Sequence, residues 1–200
     1  MALPDLLRIL HLRLQRPRHH LPRPARDQSH HSRFAQSISA RINLASKETP
    51  VKTQEFFELQ FDKFRLRVPK DCWYAGYDTW VRVEGDEGVI GVSDFYQTKL
   101  GDIVLVDPAD GDAFEQDDMF VTLESIKATV DVTIPASGEV ITFNPALKEH
   151  PELITYDTYG EGWIVRLRLT DWEMDKSMLL SAEAYFKLMQ EKVAKELGRE

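Results

Sequence analysis

One amine stands out for its position in this 200-residue chain. Lys127 falls at the turn between two alternating runs. On the first arm Met119, Val121 and Leu123 alternate with Phe120, Thr122 and Glu124. On the second, Val130, Val132 and Ile134 share one strand face, and Thr129, Asp131 and Thr133 share the other. A hairpin tip has water on most sides. An amine held out on a rigid hairpin is therefore an attachment point. Most lysines are simply solvated surface charges, so the position alone does not separate Lys127 from the rest.

The other reactive side chains are not arranged for catalysis. Residues 51–200 contain no phosphate-cradling glycine loop, no Cys/His metal spacing and no nucleophile with a histidine partner. His150 is the sole histidine there, in a polar loop beside Pro151. Asp102, Asp107, Asp110, Asp112, Glu115, Asp117 and Asp118 form an acidic run whose spacing fits no calcium loop, which makes it a solvated acidic face. Cys72 is the only cysteine, so no intramolecular disulfide forms, and the chain suits a reducing compartment. A redox role beside a thiol cofactor is the sharper reading of Cys72; a packed thiol is the plainer one. The domain reads as a carrier or binding module rather than an enzyme.

Charge divides the chain. Residues 1–50 hold nine basic and three acidic side chains, a net of +6; the whole chain is −8, so residues 51–200 carry −14. A domain this acidic is not built to bind nucleic acid through its surface. No apolar run approaches membrane-spanning length. The first fifty residues mix arginine, proline and five of the six histidines. A proline-broken, low-complexity segment cannot preorganise a coordination shell, so no metal site is assigned to it. It reads as a disordered basic extension in preference to a mitochondrial presequence, the arginine- and serine-containing alternative. The corresponding expectation is a cytoplasmic protein, or a mitochondrial-matrix one if residues 1–50 are a presequence.

The elements that must position the lysine follow. Residues 51–68 form an apolar lead-in, with Phe56, Phe57, Leu59, Phe61, Phe64, Leu66 and Val68. The carrier domain spans 69–200. Residues 79–84 alternate as a strand, Gly85-Asp86 turns the chain, and 88–92 returns. Ser93 caps a short helix that Gly101 ends. Residues 103–106 read as a buried strand, and 107–112 as a turn-rich loop. After the lysine hairpin, 135–138 turns and 139–143 runs back. Asn144-Pro145 starts a helical turn, and 163–169 alternates as a further strand. Ser181 caps a final helix in which Tyr185, Met189, Val193 and Leu197 recur at fourfold spacing, closed by Gly198. Many short strands with tight turns and few helices predict a mainly β fold, a small antiparallel sandwich or barrel.

Five segments occur together in an order and spacing that resemble the glycine cleavage system H proteins. They are Leu100-Gly-Asp-Ile-Val104, Glu124-Ser-Ile-Lys-Ala128, Pro135-Ala-Ser-Gly-Glu-Val140, Asn144-Pro-Ala-Leu147 and Tyr159-Gly-Glu-Gly-Trp163. The resemblance covers roughly residues 69–186. It implies a lipoyl-domain-like barrel-sandwich of two antiparallel sheets with short helices and a C-terminal helix. It also implies lipoic acid in amide linkage to Lys127, with Glu124 and Asp131 as candidate recognition contacts. The implied partners are a lipoate ligase or lipoyl transferase, dihydrolipoamide dehydrogenase and the enzymes that load and unload the arm.

One segment departs from the pattern. H proteins acting on glycine commonly read Ser-His-Glu-Trp before the first tryptophan, and the Ser and Glu can hold the arm's amine. This chain reads Tyr77-Asp-Thr-Trp80. A cationic amine in a cleft wants a carboxylate, and adjacent strand residues face opposite ways, so Asp78 does not replace the glutamate. The expectation leans to the H-like lipoate-binding branch of bacterial sulfur oxidation, working beside a heterodisulfide-reductase-like complex. The alternative is a glycine cleavage H protein carrying the aminomethyl group, and a further one is an unlipoylated scaffold.

Overall fold

The computed structural model describes residues 54–198; the readings made for residues 1–50 lie outside them. The chain opens with a hairpin, β1 (Phe56–Phe61) and β2 (Phe64–Pro69), closed by a two-residue loop in which Asp62 takes a positive φ of 51°. Next come β3 (Trp73–Tyr74), β4 (Thr79–Glu84), β5 (Glu87–Val92) and helix α1 (Asp94–Leu100). Strands β6 (Ile103–Pro108), β7 (Ala113–Phe114), β8 (Met119–Ser125), β9 (Thr129–Thr133) and β10 (Gly138–Phe143) follow. The chain then forms a 3-10 turn (Pro145–Lys148), α2 (Leu153–Tyr156), β11 (Val165–Leu169), α3 (Trp172–Ser177), β12 (Leu180–Ser181) and α4 (Ala182–Glu196).

Two antiparallel sheets make the sandwich that the sequence predicts. One has the order β12-β3-β4-β5-β11-β10-β7, the other β6-β8-β9. Their facing sides bury Val81, Ile90, Val165 and Leu167 against Val121, Leu123 and Val132. The larger sheet is also covered on its far side. Trp80 and Val89 pack there with Leu66 and Val68 of β2 and with Tyr185, Met189 and Val193 of α4. Neighbouring residues on β4 thus bury in opposite directions, so Thr79, Trp80 and Val81 are all buried. The stretch read as a lead-in forms part of this cover. Gly91 makes room for the Trp80 ring, because a Cβ there would stand 2.7 Å from it.

The caps form as expected. Ser93 Oγ accepts from the Tyr96 N–H at 3.2 Å, Asn144 Oδ1 from Ala146 at 3.1 Å and Ser181 Oγ from Ala184 at 3.3 Å. Four details differ. Val104 and Leu105 are half exposed, because a register shift between Ile103 and Leu105 turns both outward. A second shift between Met119 and Val121 buries Phe120 and exposes Met119, against simple alternation. The 135–138 turn does not send the chain back along the lysine hairpin; β10 pairs with β11 and β7 in the other sheet. Leu197 falls off the buried stripe of α4 and is exposed.

Helix α3 is not among the elements expected from the sequence. Its Asp175 is buried, and its carboxylate accepts from the Ser137 N–H at 2.6 Å and lies 3.2 Å from Ser137 Oγ. That contact pins the turn through which the chain changes sheets.

Candidate functional site

The lysine hairpin is a well-registered pair in which Glu124 faces Thr129, Leu123 faces Val130 and Thr122 faces Asp131. Leu123 and Val132 anchor it in the core. Ser125 closes the tip. Its backbone N–H donates to the Ala128 carbonyl at 2.8 Å, and its hydroxyl oxygen accepts from the N–H groups of Lys127 and Ala128 at 3.2 and 3.1 Å. A serine side chain that satisfies the turn's own amides fixes the backbone without covering it. Ile126 and Lys127 therefore project into solvent. Sequence reasoning gave Ser125 no role of its own, although serine hydroxyls commonly bond the backbone of their own turn.

The far end of the lysine side chain lies over the end of α1. Gly101, the C-cap, has φ 81° and ψ −150°, and its N–H donates to the Gln97 carbonyl at 2.9 Å. A Cβ on Gly101 would meet Lys127 Nζ at 3.5 Å and Cε at 3.8 Å. The bare glycine leaves a shallow seat beneath the amine. The ammonium makes no hydrogen bond or ion pair among the described residues, and an unengaged amine is available for acylation. These features fit a lysine that carries a long acyl cofactor.

Glu124 and Asp131 share the exposed side of the hairpin. The register sets Leu105, Glu124 and Thr129 in one row and Asp107, Thr122 and Asp131 in the next. Asp131 accepts from the Thr122 hydroxyl at 2.7 Å. The acidic run before the hairpin works partly as turn structure. Asp118 accepts from the Glu115 N–H at 2.9 Å, and Asp117 takes a positive φ of 72°. No metal-holding group of acidic, histidine or cysteine side chains occurs among the described residues. His150 is exposed and pairs with Glu152 at 3.1 Å.

The altered segment before Trp80 is locked. The Tyr77 hydroxyl lies 2.7 Å from Asp117 Oδ1 and 2.9 Å from the Ile134 carbonyl, and burial pushes its ionisation up. Asp78 precedes the strand with φ 74°, and its carboxylate accepts from the Tyr185 hydroxyl at 2.8 Å and from Lys192 at 2.7 Å. Thr79 is fully buried, and its hydroxyl oxygen has no hydrogen-bond partner among the described residues. Cys72 is packed with Tyr74 and Trp80 in the second core; burial and then Asp71 push its thiol up, which disfavours the reactive thiolate.

The family model of the glycine cleavage H-protein matches residues 72–192. The chain belongs to that family. A glycine cleavage system H protein of Bacteroides fragilis is 40% identical over 121 residues, which cover 60% of this chain and 95% of the relative. One of Halothermothrix orenii is 39% identical over 127 residues, 63% of this chain and 98% of the relative. The crystal structure of a glycine cleavage system H protein from Mycobacterium marinum superposes with a TM-score of 0.52 at 27% identity, covering 66% of this chain and 99% of that one. H proteins are lipoyl carriers and not catalysts, and lipoic acid, held covalently on a lysine, is the cofactor of this chain. The relatives do not support the lean to sulfur chemistry; the glycine cleavage alternative fits them better. The hairpin of β1 and β2 precedes the matched residues.

Proposed function

We propose that Lys127 bears the lipoyl group in amide linkage and that the protein is a glycine cleavage H protein, carrying the aminomethyl group between the enzymes of that system. The observation that carries this is an exposed, unpaired lysine on a serine-stapled turn, inside a chain of the H-protein family. Bound lipoate supplies a redox-active dithiolane at the end of a long neutral arm. The chain's own residues hold the attachment point. Ser125 fixes the turn, Gly101 leaves the seat, and Glu124 and Asp131 offer carboxylates to the enzymes that must find the tip.

The partners in this reading are a lipoate ligase or lipoyl transferase, the glycine cleavage enzymes and dihydrolipoamide dehydrogenase. No helix among the described residues is long and apolar enough to cross a membrane. A single cysteine supports a reducing, cytoplasmic setting.

Intact-mass measurement on protein made in a lipoate-competent host tests the attachment. Wild type should show one lipoyl adduct and Lys127→Ala none. An unmodified wild type would leave the scaffold alternative, and an adduct on Lys127→Ala would place the arm elsewhere.

A second reading, the carriage of sulfur species beside a heterodisulfide-reductase-like complex, rests on one observation. The segment before Trp80 offers no free carboxylate, because Asp78 is already engaged by Lys192 and Tyr185. Offering the lipoylated protein to glycine decarboxylase with its pyridoxal cofactor separates the two. Efficient loading supports the glycine reading; failure together with persulfide or thiosulfate adducts supports the sulfur one.

A further inference from the structure

The hairpin ahead of the family domain is docked on one side and open on the other. The outward backbone groups of Arg67 and Pro69 on β2 are taken. The Arg67 N–H donates to Asp94 Oδ2 at 2.9 Å, and the Arg67 carbonyl accepts from the Tyr159 hydroxyl at 2.7 Å. The Pro69 carbonyl accepts from the Tyr74 hydroxyl at 3.0 Å. One face of β1 packs on α4, where Phe57 stacks on Phe186 with ring centroids 5.3 Å apart.

The outer edge of β1 has no such partners. Lys70 donates its N–H to the Glu55 carbonyl at 2.9 Å, and Phe56 stands opposite Pro69, which has no N–H to give. Hydrogen-bonded and non-bonded pairs alternate along an antiparallel ladder. Phe57, Leu59 and Phe61 therefore turn their peptide groups toward β2, while Phe56, Glu58 and Gln60 turn theirs outward. Among the described residues nothing bonds to those outward groups. The strand reads Phe-Phe-Glu-Leu-Gln-Phe, with partly exposed aromatic rings at Phe56, Phe57 and Phe61. It has neither the proline nor the lysine that commonly blunts an edge.

We propose that this edge is a homodimer interface, in which β1 pairs antiparallel with β1 of a second copy. Only residues with outward peptide groups can form the bonded pairs, which leaves two central registers. One sets Glu58 opposite Glu58, two like charges face to face. The other sets Glu58 of one copy opposite Gln60 of the other, places Leu59 on the twofold axis and brings Phe57 opposite Phe61. In this register a carboxylate meets an amide and apolar meets apolar, so it is the one assigned. The hairpin is tied to Asp94 at the start of α1, whereas Lys127 lies over Gly101 at its end. Pairing through β1 leaves both arms accessible, and it does not depend on what the arms carry.

Sedimentation of the full chain over a wide concentration range tests the interface. A concentration-dependent dimer is expected. Gln60→Lys should tighten it and Gln60→Glu weaken it, each by roughly threefold to tenfold, because residue 60 faces Glu58 twice across the axis. Leu59→Cys should give a covalent dimer on oxidation, since directly opposed non-bonded residues lie about 4.5 Å apart and within disulfide reach. Arg65→Cys, on β2, should not. A monomer throughout, a dimer indifferent to charge at position 60, or no crosslink through Leu59→Cys would overturn the proposal.

Discussion

The Tyr185 hydroxyl donates to the Asp78 carboxylate at 2.8 Å across 107 residues of sequence. It also lies 2.8 Å from Ser93 Oγ, and Lys192 on the same helix reaches Asp78 at 2.7 Å. The C-terminal helix thereby holds the segment ahead of Trp80 and takes up its only carboxylate. Burial and the Asp78 charge push the Tyr185 phenol well above its ordinary range, so it remains a neutral donor at physiological pH.

Removing that hydroxyl should cost stability without touching the arm. Tyr185→Phe leaves Asp78 with one partner fewer in a buried setting, and a loss of about 1–3 kcal/mol is expected. Urea unfolding measures it. Tyr156→Phe, at an exposed phenol, should leave the midpoint where it was.

Thr79 gives the opposite sign. Its buried hydroxyl is unpartnered among the described residues, so exchanging it for a methyl removes a desolvation cost and leaves the shape intact. Thr79→Val is expected to stabilise the fold by about 1 kcal/mol. Thr79→Glu should destabilise it yet lengthen the life of the aminomethyl form, read by mass after loading. An unchanged lifetime would show that position 79 does not face the arm.

Gly101 joins backbone strain to site access. With φ 81° and ψ −150° it occupies a region open almost only to glycine, so Gly101→Ala should cost about 1–3 kcal/mol. The added methyl would also stand under Lys127, and lipoyl transfer should slow. Gly85→Ala is the control, because Gly85 has a similar φ of 73° in open space. Equal transfer rates in the two variants would remove Gly101 from the site.

Cys72 should resist thiol reagents in the folded state. Burial raises its ionisation and hides it in the core, so labelling at mildly alkaline pH is expected only after denaturation. Rapid labelling of native protein would reopen a redox role.

Much of the sandwich was legible from local chemistry. Ser93 and Gly101 bracket α1, Ser181 opens α4, and the alternation around Lys127 sets out its hairpin, because caps and period-two patterns act over a few residues. What stayed hidden depends on pairing across the fold. The outward turn of Val104 and Leu105 comes from a register shift against β8, which no pattern within 103–106 can reveal. The path of 135–143 follows from Asp175 pinning Ser137, a contact over 38 residues. Asp78 looked like an idle strand neighbour until its positive φ and two distant partners were seen. Within the hairpin, the turn at Lys127 was readable, whereas the contacts of Ser125 and Gly101 needed coordinates.

The stapled turn makes the backbone at Lys127 a fixed pivot. Ser125 holds that backbone, while the exposed side chain is unbonded among the described residues, so motion begins at its own rotatable bonds. With lipoate on Lys127, as proposed, the arm's cargo would sweep a surface centred on that turn. Client enzymes must bring their own catalytic centres onto that surface, because the carrier contributes reach and leaves the approach to them.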